Sequence, residues 1–113
     1  MGVNMKYRSS KRAQALAIPD DVKEKVWWRD SRQCVYCGRY GAYVFPDAHY
    51  IPRSKGGLGI EQNILTLCRV CHDRYDNGDK FERGMMKLRF KEYLSTIYPD
   101  WDESKLIYKK GEY

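Results

Sequence analysis

Two segments of the chain carry apolar residues at helical spacing. Val22, Val26 and Trp27 follow Pro19 and two acidic residues, which predicts a helix from residue 20 to about residue 33. A longer helix is predicted from about residue 80 to residue 97, before Pro99. Its apolar face combines one flank with a broader set: Phe81, Met85 and Leu88, then Met86, Phe90, Tyr93, Leu94 and Ile97. We expect both helices to cover a core.

The middle of the chain carries patterns of shorter elements. Strands are predicted over residues 43–45, 49–51 and 63–67. A loop with three glycines in its last four residues lies between them, over residues 53–59. A helix is predicted from residue 68 to about residue 76, and one more short element after Trp101. The pattern therefore indicates an α+β fold in which strand, loop, strand and helix are flanked by two helices.

Length and charge narrow the class of protein. The 113 residues suit one domain, predicted over residues 20–113, behind a flexible basic arm at 1–19. No stretch approaches the ~20 apolar residues of a membrane helix, and no secretory signal is evident, so we expect a cytoplasmic protein. The net charge is +6, and residues 1–33 hold eight basic and four acidic side chains. The arm is typical of a nucleic-acid contact or of a solvated tail.

The four cysteines form two Cys-x2-Cys pairs that are 30 residues apart. They are Cys34, Cys37, Cys68 and Cys71. Reduced thiols at this spacing supply the four ligands of a tetrahedral, structural Zn²⁺ site. The competing interpretation, a redox Cys-x2-Cys, needs one pair beside a βαβ unit, whereas this chain has two pairs.

Two histidines and one asparagine lie in order around these pairs. His49 lies in DAHYIPRSKGG, and Asn63 and His72 lie in QNILTLCRVCH. The order resembles the HNH endonuclease family, in particular its small free-standing, phage-type members with two zinc knuckles. The resemblance covers roughly residues 34–76. It implies a ββα-metal core, stapled here by the four-cysteine zinc site.

The resemblance implies roles for the site residues. His49 matches the general base, since it lies three residues before Pro52, although it could instead match the ligand position. His72 matches the ligand of a catalytic divalent metal; its alternatives are a spare zinc ligand or a surface residue. Many family members place another ligand directly before the base, where this chain has Ala48. Asp47 and Asp76 are the candidate replacements, although Asp76 could equally be an acid that ends its helix before Asn77 and Gly78. If neither acid is a ligand, His72, waters and phosphate hold the metal alone.

Other polar residues near the motif have less specific roles. Asn63 either ligates the metal or, as we prefer, bonds to backbone and fixes the orientation of the base; an ordinary turn asparagine is the alternative. Four basic residues are candidate contacts to DNA phosphates or solvated surface charges: Arg53, Lys55, Arg69 and Arg74.

The function implied is a metal-dependent endonuclease that nicks double-stranded DNA with low sequence specificity. A neutral imidazole can take a proton from water near pH 7, and a divalent cation can neutralise charge at the phosphate. We expect Mg²⁺ or Mn²⁺ to support activity, with other divalent transition metals as further candidates. A monomer is the default state, and the resemblance is compatible with a role in phage DNA packaging.

Two alternatives belong to other classes of function. The first is a zinc-stabilised nucleic-acid-binding module without catalysis, for which Ala48 is the best argument. The second is a zinc-stapled adaptor for protein partners.

Overall fold

A computed structural model describes residues 10–111. Its four helices are α1 (Lys11–Leu16), α2 (Asp20–Arg29), α3 (Arg69–Asn77) and α4 (Lys80–Ile97). Its two strands are β1 (Val44–His49) and β2 (Ile64–Cys68). Short 3₁₀ turns cover Arg53–Lys55, Glu61–Asn63 and Glu103–Leu106. The order β1, β2, α3 is a ββα unit, so the predicted α+β class is confirmed.

The two strands form an antiparallel sheet with one irregularity. Val44 pairs with Cys68 and His49 pairs with Ile64, but the register shifts between Phe45 and Ala48. Pro46 lies in this bulge, where its missing N–H breaks no ladder hydrogen bond. The sequence predicted two separate strand segments here, whereas the structure has one strand that ends at His49. Asp47 lies within this irregular segment.

The core lies between the sheet and one face of α4. Met86, Phe90 and Leu94 are completely buried there, and the rings of Tyr75 and Phe90 meet edge to face at 4.9 Å. The bounds predicted for α4 are confirmed, but its predicted first flank is not buried. The exposed fractions are 79% for Phe81, 52% for Met85 and 64% for Leu88. Both sets satisfy helical spacing, and the packing partner alone decides which one is covered.

The N-terminal part of the described chain also differs from the prediction. Residues 11–16 form α1 and Leu16 is buried, so the prediction of a flexible arm is wrong there. Residues 1–9 of that arm lie outside the described residues. The helix predicted to reach residue 33 ends at Arg29, because Ser31 and Arg32 adopt positive φ angles of 58° and 60°. Within residues 10–111, no helix is both long and apolar enough to cross a membrane.

A buried ion pair fastens α2 to the rest of the fold. Arg29 contacts the Asp30 carboxylate at 2.8 Å and donates to the backbone carbonyls of Glu61 and Ile64. Asp30 accepts hydrogen bonds from the backbone N–H of Thr66 and from the Tyr93 hydroxyl. The ion pair at the end of α2 is therefore hydrogen-bonded to both β2 and α4, and it holds these three elements together.

Candidate active site

The four cysteines converge at the end of the sheet. Their Sγ atoms all lie within 4.8 Å of one another, and the Sγ atoms of Cys37 and Cys68 are 3.7 Å apart. A tetrahedral Zn²⁺ with bonds of about 2.3 Å places its sulfurs about 3.8 Å apart, so this set fits that ion. The backbone N–H of Cys71 points at the Sγ of Cys68, at 3.4 Å, as in a knuckle turn. The four cysteines could therefore hold a metal such as zinc.

A cavity of about 1420 Å³ lies beside the ββα unit, and none of the four cysteines lines it. Asp47, His49, His72 and Asp76 all line it. Alternate residues of a strand share a face, which is why Asp47 and His49 reach the same cavity while Ala48, between them, is buried. Two residues of β1 and two residues of α3 therefore meet in one place.

His72 lies between two carboxylates that approach opposite sides of its ring. Its Nδ1 is 3.5 Å from Asp47 Oδ1, and its Nε2 is 3.2 Å from Asp76 Oδ2. Asp76 reaches the ring because it lies one helical turn after His72 on α3. Asp47 Oδ1 is buried and has no hydrogen-bond partner among the described residues, which is a costly state for a carboxylate oxygen. A cation or a proton on the imidazole would satisfy it.

His49 is held by the N-terminal helix that the sequence did not predict. Its Nε2 lies 2.9 Å from the backbone carbonyl oxygen of Leu16. A carbonyl only accepts, so Nε2 carries the proton and Nδ1 of the neutral ring is left as an acceptor. Burial lowers the pKa of His49; the bond to Leu16 opposes this, and the charges of Arg53 and His72 lower it further. Asp76 also opposes the pKa shift, whose net direction favours the neutral form of the ring.

The end of α1 packs against Gly59, a glycine in the loop after β1. The backbone N–H of Gly59 donates to the carbonyl of Ala15 at 3.0 Å. A Cβ at Gly59 would overlap the carbonyl oxygen of Ala17. The glycines of this loop were the available sequence signal, but they did not reveal which segment approaches them.

Asn63 lies behind the cavity rather than on its wall. It is fully buried, its Oδ1 accepts from the backbone N–H of Ile51, and its Nδ2 donates to the carbonyls of Ile51 and Leu58. These bonds close the loop between the strands. The side chain therefore faces backbone groups in the manner expected of a positioning residue.

The four candidate phosphate contacts separate into two pairs. Arg53 and Lys55 line the cavity. Arg69 instead contacts Asp47 at 3.4 Å and covers the ring of Phe45, and Arg74 pairs with Glu82 at 3.0 Å. Neither Arg69 nor Arg74 lies on the cavity wall. Three basic residues of α4 that the sequence did not single out do line it: Lys80, Arg83 and Lys87.

Comparisons with known proteins give one family match and one partial relative. The model of the HNH endonuclease family matches residues 34–78. Anaredoxin from Nostoc sp. (strain PCC 7120 / SAG 25.82 / UTEX 2576) is 38% identical over 50 residues, which cover 44% of this chain and 64% of that protein. The chain thus spans less than two thirds of that relative's length. No solved structure matches the chain. The family match, the ββα unit and the clustered cysteines are together consistent with an HNH core over residues 34–78, a segment shorter than half of the chain.

Proposed function

We propose that this protein is a metal-dependent endonuclease that hydrolyses phosphodiester bonds of double-stranded DNA. HNH domains generally bind DNA. The observation that carries the proposal is the meeting of His49, His72 and two carboxylates in one open cavity of such a domain. A neutral base beside a cluster of metal-ligand side chains is the arrangement that hydrolysis of a phosphodiester requires.

His49 acts as the general base in this proposal. Its Nε2–H donates to Leu16, so Nδ1 is free to accept a proton from the attacking water. The water oxygen bonds to phosphorus as its proton passes to Nδ1, and the bond from phosphorus to the 3′-oxygen breaks. The 3′-oxygen takes a proton from solvent, which yields 5′-phosphate and 3′-hydroxyl ends. The lowered pKa of His49 keeps the base unprotonated near pH 7. Asn63 supports this role indirectly, because it fixes the loop that follows β1.

His72 and Asp76 would hold the catalytic cation. Asp76 Oδ2 faces Nε2 of His72, and the charges of both residues act on His49. Asp47 faces the other ring nitrogen, where a carboxylate fixes the tautomer and orientation of a ligating histidine. The chemistry supplied by such a cation when bound is neutralisation of charge at the phosphate and the leaving oxygen. Oxygen and imidazole ligands suit Mg²⁺ or Mn²⁺, and other divalent transition metals to differing degrees.

The four-cysteine site has a structural role in this account. Four thiolates close the coordination sphere of Zn²⁺ and leave no position for water. The site joins the turn before β1 to the start of α3, and His72 directly follows Cys71. Bound zinc would therefore fix where His72 stands relative to the sheet.

The proposal also includes finer features: the mode of cutting, the sequence specificity, the location and the biological role. One active site cuts one strand, so nicking by a monomer is the expected outcome. Contacts to phosphates rather than bases imply low sequence specificity. Reduced thiols suit the cytoplasm of a bacterium or of a phage-infected host. A role in phage DNA packaging is compatible with the resemblance and needs a test with packaging proteins.

Nicking of supercoiled plasmid tests the proposal. Zinc-loaded protein should convert the plasmid to open circles when Mg²⁺ or Mn²⁺ is added and should leave it supercoiled in EDTA. Ligation of the open circles without prior end repair would identify 5′-phosphate and 3′-hydroxyl ends. Plasmid that stays supercoiled with every divalent metal, while the folded protein binds it, would overturn the proposal.

A second function has one observation in its favour. Ala48 occupies a position where many family members carry a metal ligand, and its side chain is buried away from the cavity. A zinc-stabilised DNA-binding module without catalysis would need no ligand there. That function predicts that His49→Ala and the wild type behave identically in binding and in cutting assays.

A further inference from the structure

The helix α4 lies outside the segment matched by the HNH family model, yet one of its faces forms a wall of the cavity. The cavity-lining residues of this helix are Lys80, Arg83, Gly84 and Lys87. Their spacing of three or four residues places them along one face, about 10 Å long from the first to the last. These four residues are exposed, whereas the core residues Met86, Phe90 and Leu94 of the same helix are completely buried. Three positive charges thus flank the groove in a row beside His49 and His72.

Two of the three basic side chains are held towards the groove by their surroundings. Arg83 donates from Nε to the backbone carbonyl of Tyr75 at 3.1 Å, which leaves its terminal nitrogens for another partner. Lys87 lies with its Nζ 5.7 Å from the ring centre of Tyr50. The acids on this side have partners of their own: Glu103 accepts from Tyr50, and Asp102 accepts from Ser104. The row is therefore available to an external anion.

Gly84 lies inside α4 at a position where neither the backbone nor the packing requires a glycine. It lies in the interior of an 18-residue helix, where glycine is less stable than alanine. No atom lies within 4 Å of the position that a Cβ would take, so packing does not exclude a side chain. A glycine in such a place allows close approach of another backbone. The gap lies on the groove, between the charges of Arg83 and Lys87.

We propose that Lys80, Arg83, Gly84 and Lys87 form a track that binds the sugar–phosphate backbone of DNA beside the cutting site. The track rests on the proposed function, since it supplies the substrate contact of that site. About 10 Å corresponds to three steps of about 3.4 Å along one strand, which join four phosphates, so the three cations can contact phosphates of one short stretch of strand. Gly84 lets the backbone lie against the helix between them. The contact is independent of base sequence.

The test of the charges is DNA binding without added divalent metal, so that no cutting occurs. A short labelled duplex is titrated at several salt concentrations between about 50 and 200 mM. The double variant Lys80→Gln and Lys87→Gln is compared with Lys25→Gln and Arg89→Gln, which removes two exposed charges outside the cavity. Loss of two phosphate contacts should reduce the salt slope of log K by about 2 and weaken binding about tenfold or more. The control should keep the wild-type slope.

The test of the close approach is Gly84→Gln. A longer side chain in open space should not harm the fold, and the melting temperature should stay equal or rise, because glutamine is a better helix former. DNA binding should nevertheless weaken several-fold. Melting temperatures of all variants are measured first, so that a misfolded variant is replaced by the single variant Lys87→Gln.

The outcomes separate this inference from the proposed function. Equal binding by the cavity variants and by the control pair overturns the track, even if the wild type cuts DNA. Unchanged binding by Gly84→Gln overturns the close approach, and a wild type that binds no DNA overturns the whole inference. If the cavity variants bind DNA more weakly and the wild type binds DNA without cutting it, the track is supported and the proposed nuclease function is overturned.

Discussion

At the scale of single residues, the choice of metal ligands depends on which ring nitrogen of His72 each carboxylate faces. Asp47 and Asp76 contact opposite nitrogens, so one ring nitrogen cannot serve both. The charge of Asp76 affects the pKa of His49. The Asp76 side chain is also more exposed than that of Asp47, at 49% against 28%. We therefore propose Asp76 as a metal ligand and Asp47 as the residue that orients His72.

Replacement of the two acids should separate these roles. Asp76→Asn should weaken Mn²⁺ binding more than Asp47→Asn, for which a loss of about 10–100-fold is expected from an orienting carboxylate. Calorimetric titration of zinc-loaded protein with Mn²⁺ measures both affinities. Asp73→Asn, an exposed change on the same helix, is the control. A larger loss for Asp47→Asn than for Asp76→Asn would reverse the assignment.

The buried pair of Arg29 and Asp30 is a residue-scale feature of stability rather than of chemistry. Asp30→Asn leaves the Arg29 guanidinium without its counter-charge, which costs about 3–5 kcal/mol in comparable buried pairs. Tyr93→Phe removes one hydrogen bond to the same carboxylate and should cost about 1 kcal/mol. Urea denaturation measures both losses, with the exposed change Glu24→Gln as control. Equal stability of Asp30→Asn and the control would show that the pair contributes little.

At the scale of elements, the sequence was informative wherever a pattern was local. The bounds of α4 follow from its helical spacing and from Pro99, and the cysteine spacing indicated the cluster that the structure contains. The face of α4 that is buried could not be predicted, since two apolar stripes compete and only the tertiary partner selects Met86, Phe90 and Leu94. The docking of α1 was missed because its partners, Gly59 and His49, lie more than 30 residues away.

The docking of α1 yields a prediction about catalysis. Gly59→Ala should displace the end of α1, since the new Cβ would overlap the Ala17 carbonyl, and should free the His49 ring from Leu16. Nicking should fall at least about tenfold while DNA affinity is kept, because a mispositioned base loses much of its contribution. Single-turnover nicking and anisotropy measure the two quantities. A variant that retains its melting temperature and wild-type nicking would show that α1 does not orient the base.

At the scale of the whole molecule, a small core makes the cysteine cluster important for the fold. The cluster joins the segment before β1 to α3, and His72 follows its last cysteine. In small domains the free energy of metal binding is largely free energy of folding. The site and the fold are therefore expected to be lost together.

Removal of one ligand tests this coupling. Cys71→Ser should lower the zinc content below one ion per chain and should reduce or abolish the cooperative melting transition. A zinc chelator added to the wild type should have the same effect, reversed by added Zn²⁺. Metal analysis and thermal denaturation are the measurements. Full zinc content and an unchanged melting temperature in Cys71→Ser would exclude a structural four-cysteine site.

The central claim is that His49 is the base of a DNA-cutting site, and paired measurements on His49→Ala test it most directly. Single-turnover nicking and DNA affinity are measured on the same zinc-loaded, folded preparations. We predict a loss of about 10²–10⁴-fold in the nicking rate with DNA affinity unchanged. Equal nicking rates for His49→Ala and the wild type would contradict the claim.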